Sequence, residues 1–510
     1  MTHEPPMNDA GPCVRTWPAV STSILTCKIP VLFHQPFSDM MRFNLVPVVR
    51  TFSVFCFAVL LASPSLARQA SIEAPASSDA WVSAHAQTAQ TLIEAAMADS
   101  AAWDRIAYLT DTFGPRFSGS RNLERSIDWI MEEMQRDGLE NVRGEPVKVP
   151  HWVRGDEKLV LLEPHERELL VLGLGGSVGT GPGGVSGDVL VVNSFDDLAA
   201  RGDEAKGKII LWNVPFTSYG ATVTYRSNGA VRAAQAGAIA SLVRSVGPFS
   251  MYTPHTGNSR YDENVPRIPH AAVTVEDAMM MQRMQDRGHT IRLRLEMEAQ
   301  WLPDADSYNV VGELVGSEYP EEIIVMGGHI DSWDVGTGAM DDAGGCVAAW
   351  EALRLMKEMG LRPKRTIRVV MWTNEENGLR GANAYRDAHM EELHNHVLAM
   401  ESDAGLFKPS GFGFSGSDAA FDLLTEIGRL LEDLDSGTVT RGGGGADIGP
   451  IMREGVPGMG LNVDGSKYFW YHHTNADYVD KLDPDDVARS VATMAVFAWV
   501  VADMEQRLPR

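Results

Sequence analysis

IIVMGGHIDSWDVGTGAMDDAGGC, residues 323–346, is the stretch on which the fold turns. Its apolar start, 323–326, reads as a buried strand. Gly327-Gly328 break that run and deliver His329 and Asp331 at its end. The adjacent pair Asp341-Asp342 follows, and Gly344-Gly345 then open an amphipathic helix over 348–359. Imidazole and carboxylates gathered where a strand ends and a helix begins describe a metal site on an open α/β sheet.

The chain downstream repeats this texture. A strand at 308–314 precedes the stretch, and a strand at 366–372, a helix at 379–390 and a strand at 396–401 follow it. Helices at 420–431 and 484–504 complete the series. Such alternation predicts an α/β fold with a mixed, mostly parallel central sheet and helices on both faces. More candidate ligands fall just past these strands: Glu375-Glu376, then Asp403, and finally His472-His473 beside the aromatic run 468–471. A single His or Glu at a strand end is usually structural. Five groups there are hard to explain as packing, because unpaired buried carboxylates are costly unless something cationic compensates.

Upstream, a helical pattern runs through Leu92, Ile93, Ala96, Trp103, Ile106 and Leu109. The loop FGPRFSGS, 113–120, breaks it, and a second helix spans 123–137 before strands at 142–152 and 158–162. Residues 165–300 differ in texture, with a glycine tract at 173–184 and short strands at 188–192, 208–213 and 239–243. A dinucleotide fingerprint needs a helix after its glycines, and here a strand follows. This segment reads as a small inserted β-rich domain. It lies between an N-terminal part, 91–164, and the metal-bearing domain, 301–510.

At 510 residues, 44% of them hydrophobic, the chain is long enough for two or three domains. A formal net charge of −24 argues against nucleic acid or an anionic membrane as partner. Arg42 and Arg50 precede the apolar run 52–62, and Ser65-Leu66-Ala67 supplies a small-x-small cleavage pattern. That is a signal peptide starting near Met40 or Met41 and cleaved near Ala67, for a secreted or periplasmic protein. Residues 1–39 then read as the product of a misassigned start, and 68–90 as a loose leader. Processing would remove Cys13, Cys27 and Cys56, leaving only Cys346, expected to be buried and inert, and no internal disulfide.

Taken together, GGHIDSWDVGTGAMDD (327–342), WTNEENGLRG (372–381), ESDAG (401–405) and YHHTNAD (471–477) resemble the co-catalytic dizinc aminopeptidases, the M28-type metallopeptidases. FGPRFSGS, VPHWVRG (149–155) and GLRPKRT (360–366) extend the resemblance over about residues 90–510. It implies a zinc-exopeptidase fold binding two Zn2+ per subunit. His329 and Asp403 would hold one zinc, Glu376 and His473 the other, with Asp341 bridging. Glu375 would be the general base for a zinc-bridged hydroxide. Asp331 is placed to orient the His329 ring through its other nitrogen. His473 is preferred to His472 because the resemblance includes a His-Thr-x-x-Asp pattern. A cis Asp341-Asp342 peptide, a homodimer, and a protease-associated-type insert restricting access are implied as well.

The implied substrates are dipeptides or short peptides with a free N-terminus. Other readings stay open: a carboxypeptidase or N-acetylated-dipeptide hydrolase, a single-zinc glutaminyl cyclase, or a non-catalytic receptor module. The carboxypeptidase reading needs a cation for the substrate carboxylate, for which Arg441, Arg453 and Lys467 are available. His389, His394 and His396 read as solvated, 442–445 as a flexible loop, and 468–471 as core packing. Asp447 is left between a pocket role and none.

Overall fold

A computed structural model describes residues 79–510. The signal peptide, the start near Met40 or Met41, the cleavage near Ala67 and the three early cysteines all lie outside the described residues. Within them, no helix is long and apolar enough to cross a membrane.

Eight strands form the central sheet: β1 (Glu140–Val153), β2 (Gln300–Leu314), β3 (Tyr319–His329), β4 (Arg365–Trp372), β5 (His396–Glu401), β6 (Pro409–Ser415), β7 (Thr438–Arg441) and β8 (Gly458–Val463). Their order is β1-β2-β4-β3-β5-β8-β6-β7. As expected, the sheet is mixed and mostly parallel. β4, β3, β5 and β8 form a parallel centre, β6 and β7 pair in parallel, and the remaining pairings are antiparallel.

The central strands are apolar at consecutive positions because both faces are covered. Ile324 and Met326 of β3 join the core formed with helices Gly344–Glu358 and Pro484–Asp503. Ile323 and Val325, pointing the other way, join Ala382 and Tyr385 of helix Arg380–His389. The long helical pattern at the N-terminus proves to be two helices, Ala86–Ala98 and Ala101–Phe113. They part where the Asp99 carboxylate accepts the Ala101 N–H at 2.8 Å, satisfying a donor that a helix start leaves free. Helix also begins at Asp79, inside the stretch expected to be a loose leader.

A second sheet covers residues 157–297. It starts earlier than expected because strand Glu157–Glu163 pairs with Arg292–Met297 rather than joining the central sheet. Ile209–Trp212 runs parallel to both Val185–Val192 and Ala240–Arg244, with helices Tyr219–Gln235 and Val275–Asp286 alongside. The insert is therefore α/β rather than β-rich. It has two apolar cores of its own, one on each face of the sheet.

Candidate metal centre

Register brings the site together. His329 of β3 lies opposite Trp372 of β4, and Gly327 opposite Glu401 of β5, so all three strands end at one edge of the sheet. The residues just past them, Asp331, Glu375, Glu376 and Asp403, are thereby gathered there. Gly328 permits the closest approach, since a Cβ on it would collide with the Asp342 carboxylate.

Two buried side chains shape the loop after β3. Arg116, from the FGPRFSGS loop, donates from Nε to the Ile330 carbonyl at 2.8 Å. Its Nη1 and Nη2 donate to the carbonyls of Thr337 and Gly338 at 2.7 and 2.9 Å. Asp477 accepts the backbone N–H groups of Ala339 and Met340 on Oδ1, at 3.1 and 2.8 Å, and that of Asp341 on Oδ2 at 3.2 Å. The Asp341-Asp342 peptide bond is cis. Asp342 accepts from the N–H groups of His329 and Gly345, fastening the strand end to the helix start. Sequence reasoning missed Arg116 and gave Asp477 no task of its own. A charged residue inside a Gly/Pro/Ser loop was the available signal for Arg116.

The Asp341 carboxylate stands at the centre. Its Oδ1 is 3.2 Å from His329 Nε2, and its Oδ2 is 3.4 Å from His473 Nε2. Asp403 Oδ1 lies 3.3 Å from the same His329 nitrogen, and Glu376 Oε2 lies 3.1 Å from that of His473. His472 stacks on His473 with ring centroids 3.5 Å apart, and its Nε2 is 3.8 Å from Asp341 Oδ2. Donor atoms of His329, Asp341 and Asp403 lie within 4.8 Å of one another, as do those of Asp341, His472 and His473.

A metal fits this donor set. Asp341 Oδ2 and Glu376 Oε1 are buried without a hydrogen-bond partner. Orphaned carboxylate oxygens in the interior are costly unless a cation faces them. Nitrogen and carboxylate oxygen converging from several elements is the donor chemistry of zinc and similar transition metals.

Glu375 sits beside this cluster. Burial pushes its carboxyl up to about 8, and Asp403, Asp331 and Asp341 push the same way against the opposing pull of His329. Its N–H donates to Asp331 Oδ1 at 3.0 Å, and the Glu376 N–H donates to Asp331 Oδ2 at 3.3 Å. Asp331 holds the other nitrogen of the His329 ring, as expected, but through its backbone carbonyl, 2.9 Å from Nδ1; its carboxylate, 3.8 Å from that nitrogen, also serves the glutamate loop. Behind Asp403, burial raises the carboxyls of Glu401, to about 7, and Asp447, well above its usual value.

Several other expectations change. Within 442–445, Gly442 has open space around it, but a Cβ on Gly443 would strike the Gly413 backbone and one on Gly445 the Glu401 carboxylate. Of residues 468–471, Tyr468 and Tyr471 are half-buried against the main core, as expected, whereas Phe469 stacks on Tyr219 at 5.1 Å and Trp470 is exposed beside Phe249 at 5.0 Å. His396 is fully buried, its ring bonded to Tyr385 Oη and the Glu392 carbonyl. His389 contacts Glu145 and Glu392. Arg441, Arg453 and Lys467 are exposed, and Arg441 turns to Asp418 and Phe421. Cys346 is fully buried beneath the site, as expected.

Carboxylates and imidazoles raised on loops past parallel strands, around one shared aspartate, define a metal-dependent hydrolase on an α/β sheet. Residues 309–498 match peptidase family M28. Carboxypeptidase Q of Bos taurus is 51% identical over 413 residues, covering 81% of this chain and 88% of that protein. The crystal structure of a peptidase M28 precursor from Shewanella amazonensis shares 35% identity with a TM-score of 0.81, covering 84% of this chain and 99% of that one. At 19% identity and a TM-score of 0.60, a zinc aminopeptidase from Bacillus subtilis shares the fold, over 80% of this chain and 96% of its own. The chain belongs to peptidase family M28 and is a metallopeptidase.

Proposed function

We propose that the protein is a secreted dizinc exopeptidase acting on dipeptides or short peptides with a free N-terminus. The observation that carries the reading is Asp341, whose two carboxylate oxygens face His329 on one side and His473 on the other. In this reading His329 and Asp403 hold one zinc, Glu376 and His473 the second, and Asp341 both. Zinc so held supplies Lewis-acid polarisation of the scissile carbonyl and acidifies water toward ~7.

The chain's own residues do the rest. Glu375 takes the proton of the attacking water and later passes it to the leaving amine. Asp331 fixes the backbone of both glutamates, which sets the distance over which that proton moves. Arg116 and Asp477 hold the loop that carries Asp341. The surplus of carboxylates over histidines around Asp341 supports a cationic α-amine on the substrate. In this reading residues 157–297 are a protease-associated-type insert that narrows access to small peptides.

A carboxypeptidase is the second reading, supported by the name of the mammalian relatives. The cations considered for it, Arg441, Arg453 and Lys467, are exposed, which weakens that version.

A panel of free, N-acetylated and C-amidated dipeptides tests the choice, with purified protein and zinc. Cleavage of free and C-amidated but not N-acetylated dipeptides is the expected result. Cleavage indifferent to N-acetylation but requiring a free C-terminal carboxylate would establish the carboxypeptidase instead.

A further inference from the structure

The insert does more than stand over the site, because it holds one of the site's histidines from behind. Thr256 brackets His473 with its own backbone. Its N–H donates to the His473 carbonyl at 2.9 Å, and its carbonyl lies 3.3 Å from His473 Nδ1. His473 has φ +60°, a left-handed conformation that a residue other than glycine rarely adopts without surrounding support.

Arg226, on insert helix Tyr219–Gln235, completes the arrangement. It is buried, donates from Nη1 to the Thr256 carbonyl at 3.3 Å and from Nη2 to Tyr219 Oη at 2.8 Å, and places Nη1 3.4 Å from His473 Nδ1. Its Nε has no hydrogen-bond partner among the described residues. Gly257 makes room for it, since a Cβ there, at φ +134°, would run into the guanidinium.

The chemistry of the two groups fixes the proton. Nε2 of His473 can offer a lone pair to a metal only if Nδ1 carries the hydrogen. That hydrogen needs an acceptor, and arginine has none to give. The Thr256 carbonyl is the acceptor, and Arg226 shares it as a second donor. Its charge, 3.4 Å behind Nδ1, balances Asp341 and Glu376 across the imidazole.

We infer that Arg226 and the Thr256 carbonyl position His473 for metal binding, so that the insert completes one half of the metal centre. Arg226 is thus a positioning residue, one shell removed from substrate. The inference rests on the two-zinc reading, and its test separates the two.

Zinc affinity is measured by chelator competition on the purified wild type, Arg226→Gln, Arg226→Lys, Tyr219→Phe and His473→Ala, with melting temperatures recorded in chelator. The wild type is expected to bind two equivalents. Arg226→Gln should weaken one of them about 10- to 100-fold and leave the other unchanged. Arg226→Lys, which keeps the charge, should recover most of that loss. Tyr219→Phe, which removes a single hydroxyl from Arg226, should weaken the same equivalent by less, and it keeps the test alive if Arg226→Gln does not fold. Two equivalents at wild-type affinity in Arg226→Gln would overturn the inference and spare the two-zinc reading. Equal losses in the Gln and Lys variants would overturn it too. A wild type with one equivalent overturns the count; if His473→Ala leaves that equivalent in place the inference falls with it, and if His473→Ala removes it and Arg226→Gln weakens it, the inference stands.

Discussion

His329 reaches Asp341 from the last residue of a central strand, whereas His473 reaches the same carboxylate from a loop propped against the insert. Burial pulls both imidazoles toward the neutral form. At His329 the bonds to Asp341 and Asp403 outweigh burial and lift its pKa well above the usual value. At His473 burial prevails, taking it down to about 3, and Arg226 works with burial against Asp341. Each imidazole thus faces two carboxylates, but His329 is built into the sheet, whereas His473 also has a buried cation behind it and is held by Arg226 and Thr256, far away in sequence. On the two-zinc reading, a site held in this way is expected to weaken one half at a time.

The base should show the largest effect, because it is common to both halves. Glu375→Gln is expected to lower kcat about 10²- to 10⁴-fold with zinc content unchanged. A variant that loses rate only in proportion to lost zinc would move Glu375 out of the proton-transfer role.

Asp477→Asn attacks the support of the shared aspartate. Its carboxylate holds three consecutive backbone N–H groups, and the amide would turn a donor toward the Asp341 N–H. Both zinc equivalents are expected to weaken, about 10- to 100-fold, in contrast to the single equivalent affected through Arg226. Weakening of only one equivalent would break the distinction between a shared support and a one-sided one.

Gly257→Ala sharpens the comparison from the insert side. The new methyl group must displace the Arg226 guanidinium, at an overpacking cost of about 1–3 kcal/mol in stability. Chelator competition should show the loss confined to the His473 half, and a loss shared by both equivalents counts against the assignment of that half to the insert.

The smallest expected effect lies away from the metal centre, at His389. Its contacts with Glu145 and Glu392 outweigh burial and raise its pKa above 6.5, so their stabilisation is complete below that value and fades as pH rises through the raised one. The bond to His389 is also the main cause holding Glu392 down at about 2, so that part is complete above 4.5 and fades as pH falls toward 2. Wild type and His389→Gln should therefore differ most between pH 4.5 and 6.5, by about 1–2 °C in Tm for partly exposed pairs. A gap that stays constant from about pH 3 to about pH 9 would show that the ring acts by packing alone.

β3, β4 and β5 were legible because apolar runs there give way abruptly to glycine, histidine or carboxylate, β1 and β2 were found in part, and β6, β7 and β8 were not foreseen. β5 falls where the apolar pattern puts it, and β4 begins one residue early. The first helical pattern was misread as continuous because apolar spacing carries across Asp99-Ser100, while the break is made by a local side-chain bond to Ala101. The 442–445 glycines looked flexible, yet Gly443 lets its backbone touch that of Gly413, a need invisible without the neighbouring strand. His396 looked polar and solvated because its partner, Tyr385 Oη, belongs to a helix whose packing the sequence does not display.

The sequence by itself determined which chemistry was available: the donor residues, their placement after strands, and the motifs that mark an M28 peptidase. Those are local properties, set by residue type and by the periodicity of the surrounding chain. Only the tertiary structure decided who supports whom. Arg116 lies over two hundred residues from the carbonyls it grips, and Arg226 and Thr256 a similar distance from His473. Such contacts arise when distant segments pack, and hydrogen bonds to backbone carbonyls leave no trace in side-chain identity.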